Sequence, residues 1–183
     1  MMKTLRFTLP VVLLSLSVAA FAQHDEQKPD APKSDADKTF DQLKTLAGAW
    51  EGVVETFPQQ PGMDGKPMHV SFRVTSMGHT LMHEMNGTGR PDDPITMFVV
   101  DGDRLLLTHY CDADNRPRMA GKMSPDGKTV EFDFLDVSGH LEYGHMQHAV
   151  FTIIDPTHHI EDWTYMQPGD KPVHAHFDLQ RTK

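Results

Sequence analysis

The chain has little cysteine: Cys111 is the only thiol among 183 residues. A single cysteine excludes an internal disulfide and structural zinc sites built from cysteine pairs. The sequence also lacks a phosphate-binding loop, a dinucleotide fingerprint and a G-x-S-x-G nucleophile motif. The protein must therefore be stabilised by a packed core, and an enzyme, such as a hydrolase or isomerase, is the least favoured functional class.

Positive charge is also scarce, since 17 Lys and Arg residues face 26 Asp and Glu residues, for a net charge of −9. This balance disfavours nucleic acid and anionic membranes as partners. Only residues 1–22 hold a long apolar run, between a basic start and Ala20-Phe21-Ala22. The pattern predicts a signal peptide cleaved near Ala22, and hence a periplasmic or extracellular protein without stable membrane insertion. The sequence predicts no oligomeric state.

The remaining chain divides into a leader and one domain. Residues 23–37 contain no aromatic or β-branched residue, and we expect a disordered leader there. A short helix is predicted next, because Phe40, Leu43 and Leu46 recur at three-residue spacing. We therefore place a single domain at residues 38–183.

Short apolar or alternating runs follow the helix, separated by Asp-Gly, Pro-Gly and similar turn sequences. They cover residues 50–57, 68–76, 79–86, 95–101, 103–111, 116–123, 128–137, 146–154, 159–166 and 173–181. This pattern predicts an all-β fold, an antiparallel up-and-down β-barrel of about 8–10 strands with a short N-terminal helix. A β-sandwich is the alternative.

The phrase "FDQLKTLAGAWEG" resembles the opening of lipocalin-like (calycin) barrels, with Gly-x-Trp-x-Gly at Gly48, Trp50 and Gly52. The phrases "DGDRLLLTHYCDADNRPRM" and "HAVFTIIDPTHHIEDWTYM" resemble a group of exported bacterial proteins of unknown function in that superfamily. The resemblance implies a barrel with an internal cavity. The superfamily includes fatty-acid carriers, haem proteins of the nitrobindin type and isomerases, so it implies no particular ligand.

The chain has twelve histidines, and the alternation of side chains along a strand predicts which of them point inward and which point to solvent. His174 and His176 oppose an apolar face and should point to solvent. His109 shares a strand face with Leu105, Leu107 and Cys111. If that face lines a cavity, His109 and Cys111 together could bind a soft metal. The alternative is that His109 is a hydrogen-bonded core residue. Tyr110 is the alternative anchor if the other face points inward.

Further candidates come from the second half of the chain. Phe132 and Phe134 should line the interior, and His148 could reach a barrel mouth. Trp163 and Tyr165 share a face with Glu161, for which Arg118 is the candidate partner. His140, His158 and His159 lie at or beside turns, where we expect solvent exposure.

These residues support two main hypotheses. The first is a protein that binds an apolar or amphipathic small molecule. Its candidate binding residues are His109, Tyr110, Arg118, Phe132, Phe134, His148, Trp163 and Tyr165. The second is a metal- or haem-binding barrel, since histidine ligates both. Its candidate metal ligands are His109, Cys111 and His148. The sequence requires no cofactor, although haem or a divalent metal remains possible.

Overall fold

The computed structural model describes residues 32–87, 89 and 91–182. The predicted signal peptide and residues 23–31 of the predicted leader lie outside the described residues. One helix, α1 (Asp35–Lys44), precedes ten strands. These are β1 (Gly48–Phe57), β2 (Pro67–Thr75), β3 (Thr80–Gly87), β4 (Ile95–Asp101), β5 (Arg104–Tyr110), β6 (Asn115–Met123), β7 (Thr129–Gly139), β8 (His145–Asp155), β9 (His158–Gln167) and β10 (Lys171–Arg181).

Each strand pairs antiparallel with its neighbour along the chain, and β1 also pairs with β10. That last pairing runs from Trp50 opposite Arg181 to Phe57 opposite His174, and it closes the sheet. Closure leaves no unpaired sheet edge. The predicted up-and-down barrel with a short N-terminal helix is confirmed, with ten strands, and the sandwich alternative is wrong.

Helix α1 begins three residues before the domain boundary predicted at residue 38. Ser34 caps it: the Ser34 hydroxyl accepts from the Asp37 amide, and the Asp37 carboxylate accepts from the Ser34 amide. This reciprocal box satisfies two backbone donors that a helix start would otherwise leave unpaired. Residues 35–37 therefore belong to the folded domain. The sequence prediction placed them in the leader because a polar composition is typical of a helix N-terminus as well as of a disordered leader.

Trp50 joins the helix to the barrel. Its side chain is buried, and its indole Nε1 donates to the Leu46 carbonyl at 2.8 Å. The Arg181 guanidinium stacks 4.1 Å from the Trp50 ring and donates to the carbonyls of Thr45 and Ala47. One contact set thus links the helix C-terminus, the first strand and the last strand. It forms the closed end of the barrel.

Two glycines make this end possible. Gly48 has φ +138°, and a Cβ there would lie 2.5 Å from the Arg181 guanidinium. A Cβ on Gly52 would lie 2.1 Å from the Asp178 carbonyl oxygen of the neighbouring strand. Glycine at these positions lets the arginine and strand β10 approach β1 closely, which gives the Gly-x-Trp-x-Gly pattern a physical reason.

Side chains alternate between the interior and the outer surface along most strands. The enclosed interior is aromatic and aliphatic, with buried Trp50, Phe72, Phe98, Phe132, Phe151, Trp163 and Phe177 among its large members. The helix adds Phe40, Leu43 and Leu46 to this core. As predicted by alternation, His174 and His176 project from the outer face of β10.

We expect Trp50→Ala to lower the free energy of unfolding by about 3–5 kcal/mol, the range for truncating a large buried aromatic. Trp50→Phe, which keeps an apolar ring but loses the Nε1 donor, should cost less. Urea denaturation of both variants and the wild type measures the difference. An unchanged midpoint for Trp50→Ala would show that the closed end contributes little to stability.

Candidate functional site

A cavity of about 250 Å³ opens at the barrel end opposite Trp50. Strands β1, β3, β5 and β9 end there, and β2, β8 and β10 begin there. The wall is mainly apolar. It is formed by Thr56, Gln60, Met63, Met68, Met85, Gly87, Asp92, Pro94, His109, Cys111, Asp112, Met146, Trp163, Tyr165, Gln167, Val173, Ala175 and Phe177. We call this space the mouth cavity.

His109 is the most deeply buried polar side chain in its wall, at 1% exposure, and Thr56 is buried there as well. Thr96 lies directly opposite on β4, and the threonine Oγ1 is 2.8 Å from His109 Nδ1. Among the residues that the structure describes, no group forms a hydrogen bond with His109 Nε2. Burial, together with the charge interaction with His83, lowers the pKa of His109 to about 3. The imidazole is therefore neutral near pH 7, and its ring forms part of the wall of the mouth cavity.

Glu161 is the centre of a second polar group, deeper in the barrel and fully buried. Its carboxylate accepts from Trp163 Nε1 at 2.9 Å and contacts His159 Nε2 at 3.0 Å. His83 Nε2 lies 3.2 Å from the same carboxylate, outside hydrogen-bond geometry. Burial alone would raise the pKa of Glu161, but His83 and His159 outweigh it and hold that pKa well below its usual range. The carboxylate is thus ionised inside the barrel.

Trp163 connects this deep group to the mouth cavity. Its indole N–H is directed at Glu161, while its ring stacks on His83 with an interplanar angle of 16°. The ring centroid also lies 5.5 Å from that of His109. The Trp163 ring therefore lies between the Glu161 group and His109, which lines the mouth cavity.

Tyr165 forms another part of the cavity wall. Its hydroxyl donates to the Tyr143 carbonyl at 2.6 Å. Burial, with smaller contributions from Cys111 and Asp112, raises the pKa of Tyr165 to about 12. The phenol is therefore protonated at physiological pH and already directed at the backbone, so its ring is the part available to a ligand.

Of the predicted binding residues, His109, Trp163 and Tyr165 line the mouth cavity. Phe132 is buried in the core between Phe98 and Phe151, away from the cavity wall. Phe134 is half-buried against His145, with ring centroids 5.0 Å apart. The interior is aromatic as predicted, but these two rings pack against protein.

Three predicted binding residues lie on the outer surface. Tyr110 is exposed, as expected once the His109 face of β5 points inward. Arg118 forms a bidentate pair with Asp136 on the neighbouring strand, so it is not the partner of Glu161. His148 contacts the exposed carboxylate of Glu131, and it does not reach the mouth.

The predicted metal ligands are likewise divided. His109 and Cys111 both line the mouth cavity. His148 lies instead with Glu131 and Asp133 outside the barrel, where their ligand atoms are within 4.8 Å of one another. That surface group is exposed and already contains ion-pair contacts, so it gives no independent sign of a bound metal.

The expectation of solvent exposure for His159 is wrong, although His140 and His158 do lie toward the surface. His159 is fully buried, with its ring centroid 4.2 Å from that of Trp50. Sequence reasoning assigned no interior role to His83 or Thr96. Strand alternation contained the signal, because His159 shares a face with Glu161 and Trp163, and His83 with buried Leu81 and Met85.

Within the part of the chain that the structure describes, no helix has both the length and the apolar character needed to cross a membrane.

We expect Glu161→Gln to lower the free energy of unfolding by about 3 kcal/mol or more, because it removes a buried charge that Trp163 Nε1 and His159 Nε2 contact at hydrogen-bond distance. Glu131→Gln provides the matched control: Glu131 is exposed, and its loss should change stability by less than about 0.5 kcal/mol. Equal effects in urea denaturation would contradict an internal ionic centre.

The lowered pKa of His109 predicts acid sensitivity. Below pH 6.5 the unfolded chain binds a proton at this residue, whereas the folded chain does not until about pH 3. Stability should therefore fall as pH decreases through this window, by up to about 1.4 kcal/mol per pH unit for one proton. We expect His109→Leu to show a shallower slope than the wild type, and His174→Ala to keep the wild-type slope. Parallel slopes for His109→Leu and wild type would contradict the burial of a neutral imidazole.

Comparisons with known proteins support the architecture. No protein-family model and no curated protein matches the chain. The crystal structure of Rv2717c from M. tuberculosis aligns with a TM-score of 0.59 and 14% identity, over 79% of this chain and 98% of that one. A DUF3598-family protein with unknown function from Nostoc punctiforme, Npun_R4044, aligns with a TM-score of 0.54 and 13% identity, over 76% of this chain and 48% of that one. At these identities the similarity supports the fold alone, a closed antiparallel barrel of ten strands.

Proposed function

We propose that the protein binds a small amphipathic molecule in the mouth cavity, with His109 as its polar anchor. The supporting observation is a buried imidazole in a mainly apolar wall, whose Nε2 has no hydrogen-bond partner in the described part of the chain. A buried polar atom without a partner costs about 1–3 kcal/mol, so a ligand group that pairs with it gains that stabilisation. Concave apolar cavities with few polar groups are typical ligand sites.

The charges in the cavity wall favour a neutral ligand over an anionic one. His109 is neutral, so it offers one hydrogen-bond donor or one acceptor rather than a positive charge. Asp92 and Asp112 also line the cavity, and they disfavour an anionic group. A neutral molecule, with an apolar body and a single hydroxyl, carbonyl or amine, therefore suits the site better than a fatty-acid carboxylate.

The volume of the mouth cavity also limits the size of the ligand. Pockets for drug-sized ligands have volumes of roughly 300–1,000 Å³, whereas the mouth cavity measures about 250 Å³. The ligand is therefore small, and its apolar body lies among Met68, Met85 and Phe177.

The resemblance to lipocalin-like barrels also suggests haem as a ligand, but haem is too large for this cavity. The chemistry of His109 Nε2 would allow it to ligate an iron. However, a porphyrin is larger than most drug-sized ligands, and a cavity of about 250 Å³ does not enclose one. We therefore assign no haem-dependent step to this chain.

The anchor can be tested with N-phenyl-1-naphthylamine, a neutral fluorescent probe with one N–H group. We expect saturable binding to the wild type, and at least about ten-fold weaker binding to His109→Ala, equivalent to about 1.4 kcal/mol. His176→Ala, which changes an imidazole on the outer face of β10, should bind the probe as the wild type does.

Denaturant stability provides the second measurement on the same variants. A His109→Ala protein that is less stable but binds the probe normally would contradict the proposal and make His109 a core residue. A haem absorption band in protein purified from its native source would also contradict it.

We also propose that the chain is exported, supported by the basic, apolar and small-residue pattern of residues 1–22. Amino-terminal sequencing of the protein from its native source should begin near Gln23. A mature chain that retains residues 1–22 would contradict cleavage.

A further inference from the structure

Sulfur is concentrated in the wall of the mouth cavity. Met63 lies in the turn after β1, and Met68, Met85 and Met146 come from β2, β3 and β8. Cys111 adds a thiol from the segment after β5. Because these residues come from separate strands and a turn, their side chains reach the same space from several directions. Methionine also fills cores, so sulfur alone does not define a site.

The second observation is the nitrogen of His109. Its Nδ1 lies 2.8 Å from Thr96 Oγ1, and its Nε2 has no hydrogen-bond partner among the residues described, although the residue is 1% exposed. In the tautomer that donates from Nδ1 to Thr96, Nε2 carries a lone pair. A metal-ligating histidine is commonly oriented in this way, through a hydrogen bond from its other ring nitrogen.

We propose that the mouth cavity binds a monovalent soft metal ion, Cu⁺, through His109 Nε2 and the thioether sulfurs of Met68 and Met85. Met63, Met146 and Cys111 supply further sulfur around it. This inference goes beyond the organic ligand proposed above, and it concerns donor atoms that such a ligand would not need.

The ligand types determine the metal. Thioether and thiolate sulfur with imidazole nitrogen favours Cu⁺, whereas Mg²⁺, Ca²⁺ and Mn²⁺ prefer oxygen. The thioethers and the imidazole named as ligands are neutral, so they compensate no charge of the ion, and a monovalent ion is less costly to bury than a divalent one. Asp92 and Asp112, which also line the cavity, favour a cation there. Trp163, with its ring 5.5 Å from that of His109, adds an aromatic surface that attracts a cation.

The test titrates Cu⁺ anaerobically into the purified full chain, in competition with bicinchoninate, a chromophoric Cu⁺ chelator. We expect the wild type to withdraw about one Cu⁺ per chain from the chelator, with no competition from Zn²⁺. His109→Ala should lose at least about ten-fold in affinity. Failure of the wild type to compete, or displacement of Cu⁺ by Zn²⁺, would overturn the proposal.

Methionine-to-leucine variants separate this proposal from the organic-ligand proposal. Leucine keeps the volume and apolar surface of methionine, at a cost usually below about 1.5 kcal/mol, but has no sulfur. We therefore expect Met68→Leu/Met85→Leu to lose Cu⁺ affinity by about ten-fold or more while still binding the neutral naphthylamine probe. Met77→Leu, at a fully exposed methionine, is the matched control and should bind Cu⁺ normally.

Two further results with these variants would overturn the proposal. Undiminished Cu⁺ affinity in the double variant would overturn a thioether site. Loss of Cu⁺ affinity in Cys111→Ser together with retention in the double variant would overturn it in favour of a thiol site. If the double variant fails to fold, Met68→Leu and Met85→Leu singly carry the same test, with a weaker loss expected in each.

Discussion

The enclosed carboxylate of Glu161 is the constraint on which the interior depends. A closed barrel offers this side chain no route to water, and an ionised carboxylate without water must be surrounded by donors. Trp163 and His159 contact it directly, and His83 approaches to 3.2 Å. Three rings from two strands are thereby held in fixed orientations, with the aromatic core of Phe72 and Phe151 around them.

The contacts of Glu161 also fix how Trp163 borders the mouth cavity. With its N–H committed to Glu161, Trp163 presents its ring toward His109. Within the described residues, His109 has a hydrogen-bond partner at Nδ1, Thr96, and none at Nε2. Nitrogens of His83 and His159 also lack a hydrogen-bond partner, but these two rings lie against the Glu161 carboxylate, whereas His109 lines the mouth cavity. Both proposals for the mouth cavity depend on that difference, and the surrounding methionines distinguish an organic ligand from a soft metal.

Much of the fold was accessible from the sequence, because turn chemistry is local. Asp-Gly and Pro-Gly pairs separate apolar runs, so the predicted strands agree with the observed ones to within about two residues at most ends. Alternation also identified the face of β9 that carries Glu161, Trp163 and Tyr165. The prediction for His159 was wrong because its position beside a turn was given more weight than its place on that same face.

The partner of Glu161 was predicted incorrectly for a different reason. Arg118 has the right charge, but alternation places it on the outside of β6, where it meets Asp136 on β7. His83 has no sequence feature linking it to Glu161, which lies 78 residues later in the chain. Only the wrapped sheet brings β3 across the interior from β9.

The sequence by itself determined an approximate number of strands, about eight to ten, together with their approximate limits and the side chains that share a strand face, because these follow from turn residues and from a two-residue period. The tertiary structure decided which face is enclosed, which histidines meet the carboxylate, and which sulfur atoms surround His109. Those properties depend on the pairing register of ten strands and on closure between β1 and β10, and each is a relation between residues far apart in the chain.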